Sequence, residues 1–154
     1  MPRRPPVALL ALLVGATTAG CAVSGAGAPK NAADVAPVNG LSVPTLLDCR
    51  DLKALLPKQI AAGVALRPAE PLSDTTAAWG EPPIALRCGV KAGLASDEPY
   101  TFDQVDWAMH DTGASRTWTT RGLKVNVQVV IPDHYDGQAE LLGGLAAAIT
   151  RTLR

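Results

Sequence analysis

Aromatic side chains are scarce in this sequence: three Trp, two Tyr and one Phe among 154 residues. A packed core must therefore be mainly aliphatic, with each Trp more useful as an anchor than as a spare surface group. Net charge is also missing, since 14 Lys and Arg face 14 Asp and Glu and only 18% of residues are charged. That balance excludes a nucleic-acid binder working by counterion release, and 47% apolar content excludes a disordered chain. The sequence has no G-x-S-x-G elbow, no phosphate-binding glycine loop, no internal repeat and no alternating β-α-β pattern. Breaks, by contrast, are abundant. Fourteen Gly and 13 Pro confine regular elements to short lengths joined by turns, in a single small domain.

The chain opens MPRRPPVALLALLVGATTAGC, with Arg3 and Arg4 ahead of an apolar run from Val7 to about Ala16 and then small residues. This is the layout of a bacterial secretory signal, and residues 1–20 are read as one. The run falls short of the roughly 20 apolar residues that span a hydrocarbon core. Pro5 and Pro6 stand where a twin-arginine signal carries polar and aromatic residues. Thr18-Ala19-Gly20-Cys21 resembles the lipobox of bacterial lipoproteins, in which a Cys sulfur accepts a diacylglycerol before cleavage. That resemblance implies lipidation of Cys21 and a palmitate-bearing protein on the outer face of the cell membrane. The alternatives are a plain secretory signal cut nearby, releasing a free protein, and an uncleaved N-terminal helix that stays as the anchor. Loss of Arg3 and Arg4 leaves 12 basic against 14 acidic side chains, a net charge near −2. Attachment would then rest on acyl chains rather than on a basic patch.

Two further cysteines, Cys49 and Cys88, fall inside the domain. In an exported chain they most simply pair, closing a loop of about 40 residues worth about 4 kcal/mol in the chain-entropy model. The other reading, a metal site of Cys49, Cys88, His110 and His134, lacks any close C-x-x-C or H-x-x-x-H spacing.

Residues 21–42 comprise the Cys and an Ala-, Gly- and Pro-rich stretch without periodicity, read as a flexible spacer. About 18 residues of such coil span on the order of 25 Å. The domain, residues 43–154, begins with a helix from Val43-Pro44, capped by Thr45 or Asp48, with Leu47, Leu52, Leu55 and Leu56 on one broad face before Pro57 stops it. Weaker strands are predicted over Val64–Leu66 and Thr75–Trp79. A firmer one runs from Ile84 to Val90, where Ile84, Leu86 and Cys88 share a face and Arg87 points the other way. Val105 to Met109, Ser115 to Thr120 and Leu123 to Ile131 follow, the last alternating so regularly that it reads as half-covered and antiparallel. A C-terminal helix from about Asp136 to Leu153 carries Leu142, Leu145, Ala146, Ile149 and Leu153 on one stripe. Its Gly143-Gly144 pair permits close approach to a strand. Together these predict an α+β domain: an antiparallel sheet of about four to six strands, covered by an N-terminal and a C-terminal helix, with one disulfide.

The run from Ala77 through Trp79-Gly80-Glu81-Pro82-Pro83 to Arg87-Cys88-Gly89-Val90, with Cys49 upstream and Val105-Asp106-Trp107 downstream, resembles an actinobacterial family over residues 44 to 154. That family is domain of unknown function 3515, small secreted or membrane-attached proteins often with a lipoprotein-type leader. The resemblance implies an envelope protein and brings no catalytic residues.

The candidate site residues are few. Asp111-Thr112-Gly113 has the triplet of aspartic proteases, but occurs once and reads as a hairpin turn. His110, Asp111, His134 and Asp136 would form a metal or acid/base site if their strand ends converge, and otherwise sit on solvated turns. Trp79, with Trp107 and Trp118, is either a core anchor or a stacking platform. Arg87 is either a paired surface arginine or an anion site. The leading expectation is a non-enzymatic envelope lipoprotein that needs no cofactor and binds a partner or small ligand outside the membrane. The alternative is a small secreted metal-dependent or acid/base hydrolase using the residues at strand ends.

Overall fold

A computed structural model describes residues 31–94 and 97–154. The leader, Cys21 and the first part of the spacer lie outside the described residues. Two helices and ten strands follow one another: β1 (Ala33–Asp34), α1 (Val43–Leu55), β2 (Gln59–Ala61), β3 (Val64–Arg67), β4 (Ala69–Glu70), β5 (Thr76–Trp79), β6 (Ile84–Val90), β7 (Glu98–Phe102), β8 (Val105–Asp111), β9 (Ser115–Arg121), β10 (Asn126–Pro132) and α2 (Gln138–Leu153). The main sheet has the order β2-β3-β5-β6-β10-β9-β8-β7, every pair antiparallel. The α+β architecture is the one the periodicities predict, but the sheet has eight strands rather than four to six.

The additional strands are those with weak patterning. β2 is three residues long, and β7 contains Pro99 and is mostly exposed, as suits an edge strand. The β7–β8 turn uses Asp103 and Gln104 at φ +46° and +67°, a two-residue connection with left-handed backbone at both positions and no Gly to announce it.

One face of the sheet carries the helices. From β6, β9 and β10 it receives Ile84, Leu86, Trp118, Val127, Val129 and Ile131, all buried. From α2 it receives Leu142, Leu145, Ala146, Ile149 and Leu153, the stripe read from the sequence. Burying each large aliphatic side chain contributes about 1.5–3 kcal/mol relative to exposure. A Cβ on Gly144 would clash with the carbonyl oxygen of Ile60, so the glycine lets α2 ride directly on β2. Helix α1 packs less deeply. Cys49 and Leu52 are its buried residues, while Leu47 and Leu55 are exposed rather than inward. Its N-cap is Ser42, whose Oγ accepts from the Thr45 N–H, and not Thr45 or Asp48. The disulfide Cys49–Cys88 clamps this helix to β6, with a Cα separation of 5.6 Å.

The second half of the expected spacer is structured. Residues 31–41 run as a strap over the helix-free face, where β1 pairs in parallel with β4. Ala33 and Val35 are buried there against Ala78, with Ala69 and Ala85 alongside. Their N–H groups donate to the carbonyls of Pro68 and Glu70, both at 2.8 Å. The packed body therefore includes residues ahead of the helix onset at Val43, with Ala33 and Val35 among its buried side chains. Small residues explain both facts: Ala and Val give no periodic signal over so short a strand, yet fit a flat patch of Ala side chains.

Candidate functional site

Side-chain alternation on the sheet sends Arg87 of β6, Gln128 of β10, and Thr117 and Thr119 of β9 to the helix-free face, along with His110 of β8. Register aligns Arg87 with Gln128, Gln128 with Thr119, and Thr117 with His110. The strap covers only part of this face. Beyond it lies a cleft of about 630 Å³ with these residues as its floor. The end of the strap, Val38 to Leu41, makes one wall, and the segment after β6, including Lys91, Leu94 and Asp97, makes the other. This volume is within the range of small-molecule sites.

Both walls are fastened. Val38 N–H donates to Thr75 Oγ1 at 3.1 Å, and Leu41 lies against Gly89. Opposite, Arg121 donates to the Leu94 carbonyl at 2.9 Å, and the Leu94 N–H donates to Asp97 Oδ2 at 2.7 Å.

Two groups in the cleft are left short of partners. The Arg87 Nε is buried without a hydrogen bond, and its Nη1 donates to Gln128 Oε1 at a long 3.5 Å. Among the described residues no carboxylate pairs with it. The Asp97 side chain is 6% exposed, and its Oδ1 has no hydrogen bond. It stands 3.4 Å from His110 Nδ1, close enough for electrostatic attraction but without hydrogen-bond geometry. Buried polar atoms are normally satisfied, so a pair of exceptions in one cleft marks where a ligand or water would bond.

The remaining candidates are elsewhere. Trp79 is wholly buried and donates through Nε1 to the Pro57 carbonyl at 3.0 Å, making it a core anchor rather than a platform. Trp107 is likewise buried, and Trp118 donates to Gln138 Oε1 at 2.8 Å while meeting Tyr100 and Phe102 edge-on. Asp111 lies in the β8–β9 hairpin, where Oδ1 accepts from the Gly113 N–H at 2.7 Å and Oδ2 from Arg116 at 3.1 Å. These bonds hold its carboxyl below the usual range, the Gly113 N–H being the larger cause. His134 and Asp136 are exposed in the segment between β10 and α2, with His134 edge-on to Tyr135. Arg116, which also pairs with Asp133, ties the Asp111 hairpin to the segment that carries His134. Among the described residues no three His, Cys, Asp or Glu side chains are grouped to hold a metal, and the sulfurs of Cys49 and Cys88 are consumed by their bridge.

The Trp79-Gly80-Glu81-Pro82-Pro83 run has a structural role on the helix side. Gly80 has φ +69°, and a Cβ there would clash with Tyr135 Oη, which donates to the Pro82 carbonyl at 2.7 Å. Burial raises the Tyr135 pKa above that of a free phenol.

A protein-family model matches residues 6–154. The chain belongs to that family, Protein of unknown function (DUF3515). No curated protein and no solved structure matches it. Of the residues lining the cleft of this DUF3515 chain, Arg87 and His110 are among the candidates named from the sequence, and Asp97, Thr119 and Gln128 are not. Gln128 had a visible signal, its place on the polar side of the best-alternating strand; Asp97 had none, because a loop brings it in.

Proposed function

We propose that this protein is an exported, lipid-anchored envelope protein whose domain binds a small ligand in the cleft on the helix-free face of the sheet. The observation that carries the binding is Arg87: a half-buried guanidinium at the centre of a sheet, with no carboxylate partner among the described residues, open to a cleft walled on both sides. A sheet face of this kind is stable without a ligand only if water serves the donors, and a ligand oxygen serves them better in a partly closed site. Export is supported by the leader, and anchoring by Cys21 behind Ala19-Gly20. Among the described residues no helix is long and apolar enough to cross a membrane, so the cleft-bearing body has no span of that kind.

Two measurements test the reading. Cells fed radioactive palmitate should label the wild type and not Cys21→Ala; an unlabelled wild type released into the medium removes the anchor. The full chain, extracted in mild detergent and incubated with small-molecule extract of the producing cells, should carry a noncovalent adduct in native mass spectrometry. Arg87→Met should lose that adduct while keeping its melting temperature. An adduct that persists in Arg87→Met places binding outside the cleft.

A further inference from the structure

The cleft presents two complementary charges that do not meet. Arg87 rises from β6 with its Nε unbonded, and Asp97 hangs over the other side with its Oδ1 unbonded and its side chain almost wholly buried. The Asp97 carboxylate lies beside Gly93: a Cβ on that glycine would stand 3.0 Å from Asp97 Oδ2, 2.8 Å from Ala108 Cβ and 3.5 Å from Thr119 Cβ. Asp97 therefore sits above the β8–β9 pair, two to three strands from β6 at about 4.8 Å per strand. Arg87 extends toward β10, where it approaches Gln128, and so shortens the gap from its side. Asp97 is held by the Leu94 N–H and faces His110 at 3.4 Å, while Arg87 leans on Gln128, so the two charges are not paired with each other.

A simple anion would serve Arg87 and repel Asp97; a simple amine would do the reverse. A molecule with a carboxylate at one end and an ammonium at the other serves both. We infer that the cleft binds a small zwitterion of amino-acid or short-peptide length, its carboxylate on Arg87 and its ammonium on Asp97. The carboxylate accepts from the guanidinium, with Thr119 as a neighbouring hydroxyl on the floor, and Lys91 at the wall adds positive charge. Val38 and Leu41 supply the apolar wall against which the ligand's own side chain packs.

The inference rests on the small-ligand reading of the cleft, and calorimetry separates the two. Probes are L-alanine, L-alanyl-L-alanine, acetate, phosphate and ethylammonium, titrated into the full chain in mild detergent. One zwitterion should bind at least about tenfold more tightly than acetate, phosphate or ethylammonium, since one further charge-assisted hydrogen bond is worth about that factor. Asp97→Asn should reduce zwitterion affinity to the level of acetate, and Arg87→Gln to that of ethylammonium, with circular dichroism and melting temperature confirming that both variants fold. If acetate or phosphate binds as tightly as the zwitterions and Asp97→Asn changes nothing, the cleft is a plain anion site: the zwitterion inference fails and small-ligand binding stands. The zwitterion inference fails in the same way if no probe binds while an Arg87-dependent adduct from the cell extract persists. If no probe binds and no adduct forms, both fail.

Discussion

Leu41 is packed onto Gly89 so closely that a Cβ on the glycine would clash with Leu41 Cδ1. Gly89 also has φ +86°, a backbone conformation that costs an L residue roughly 1–2 kcal/mol. Through this contact the last residue of the wall formed by the strap is set against the end of β6, two positions from Arg87. Gly89→Ala should therefore lower stability by about 1–2 kcal/mol in urea unfolding and push Leu41 out of place. The side chain of Leu41 is mobile enough to yield, so the variant should still fold, with the nuclear magnetic resonance signals of Val38 to Leu41 shifted. An alanine variant as stable as wild type would show that the wall is not held this way.

The Cys49–Cys88 bridge joins α1 to the sheet across 39 residues of chain, and α1 has little else in the core beyond Leu52. Reduction should lower the unfolding free energy by about 2–5 kcal/mol. The paired variant Cys49→Ala with Cys88→Ala should match the reduced protein. Alkylation without reductant should leave both sulfurs unmodified; two alkylated thiols in the native protein would refute the bridge.

Arg67 fixes the upstream end of the strap. Its Nε and Nη2 donate to the Asn31 carbonyl at 2.9 and 2.6 Å, Nη1 donates to the Gly80 carbonyl at 2.7 Å, and the guanidinium pairs with Glu81. Arg67→Met should loosen residues 31–35 while leaving the helix-bearing face intact. Hydrogen exchange should accelerate by roughly tenfold or more at the Ala33 and Val35 amides, the loss of about 1.4 kcal/mol in local opening. Amides of β8, β9 and β10 should be unchanged, and equal acceleration there would mean that the strap does not open independently.

Asp111 has its pKa lowered by the Gly113 N–H and by Arg116. A carboxyl with a folded pKa below its unfolded value of 3.8 contributes stability that is complete above that value and is lost as pH falls through the lower folded pKa. Wild type and Asp111→Asn should thus differ most at neutral pH and converge as acid protonates the wild-type carboxyl. The group is fully exposed, so the difference should be small, and it should shrink further in high salt. A stability gap that grows on acidification would contradict the hairpin role.

Much of the helix-bearing side was legible from residue order. Val127, Val129 and Ile131 alternate, Leu142, Leu145 and Ile149 recur at helical spacing, and Cys88 shares a parity with Ile84 and Leu86; these local periodicities decide which atoms leave water. The same parity put Arg87 on the far face. Local order was silent about β1, β2, β4 and β7, whose lengths of two to five residues are too short to show a period, and about the strap, whose Ala and Val resemble those of a linker. It was misleading for Leu47 and Leu55, which share a helical stripe but lie where no neighbour among the described residues buries them.

The cleft is a product of tertiary structure alone. Arg87, Gln128, Thr119 and His110 belong to four strands brought side by side by antiparallel pairing, and Asp97 reaches them from a loop tied down by Arg121. Composition and periodicity determined that this chain would bury one aliphatic face of a sheet under two helices, because burial of apolar area is set by each element's own pattern. Which polar groups would stand opposite one another on the other face depended on strand order and register, quantities that no single stretch of sequence contains.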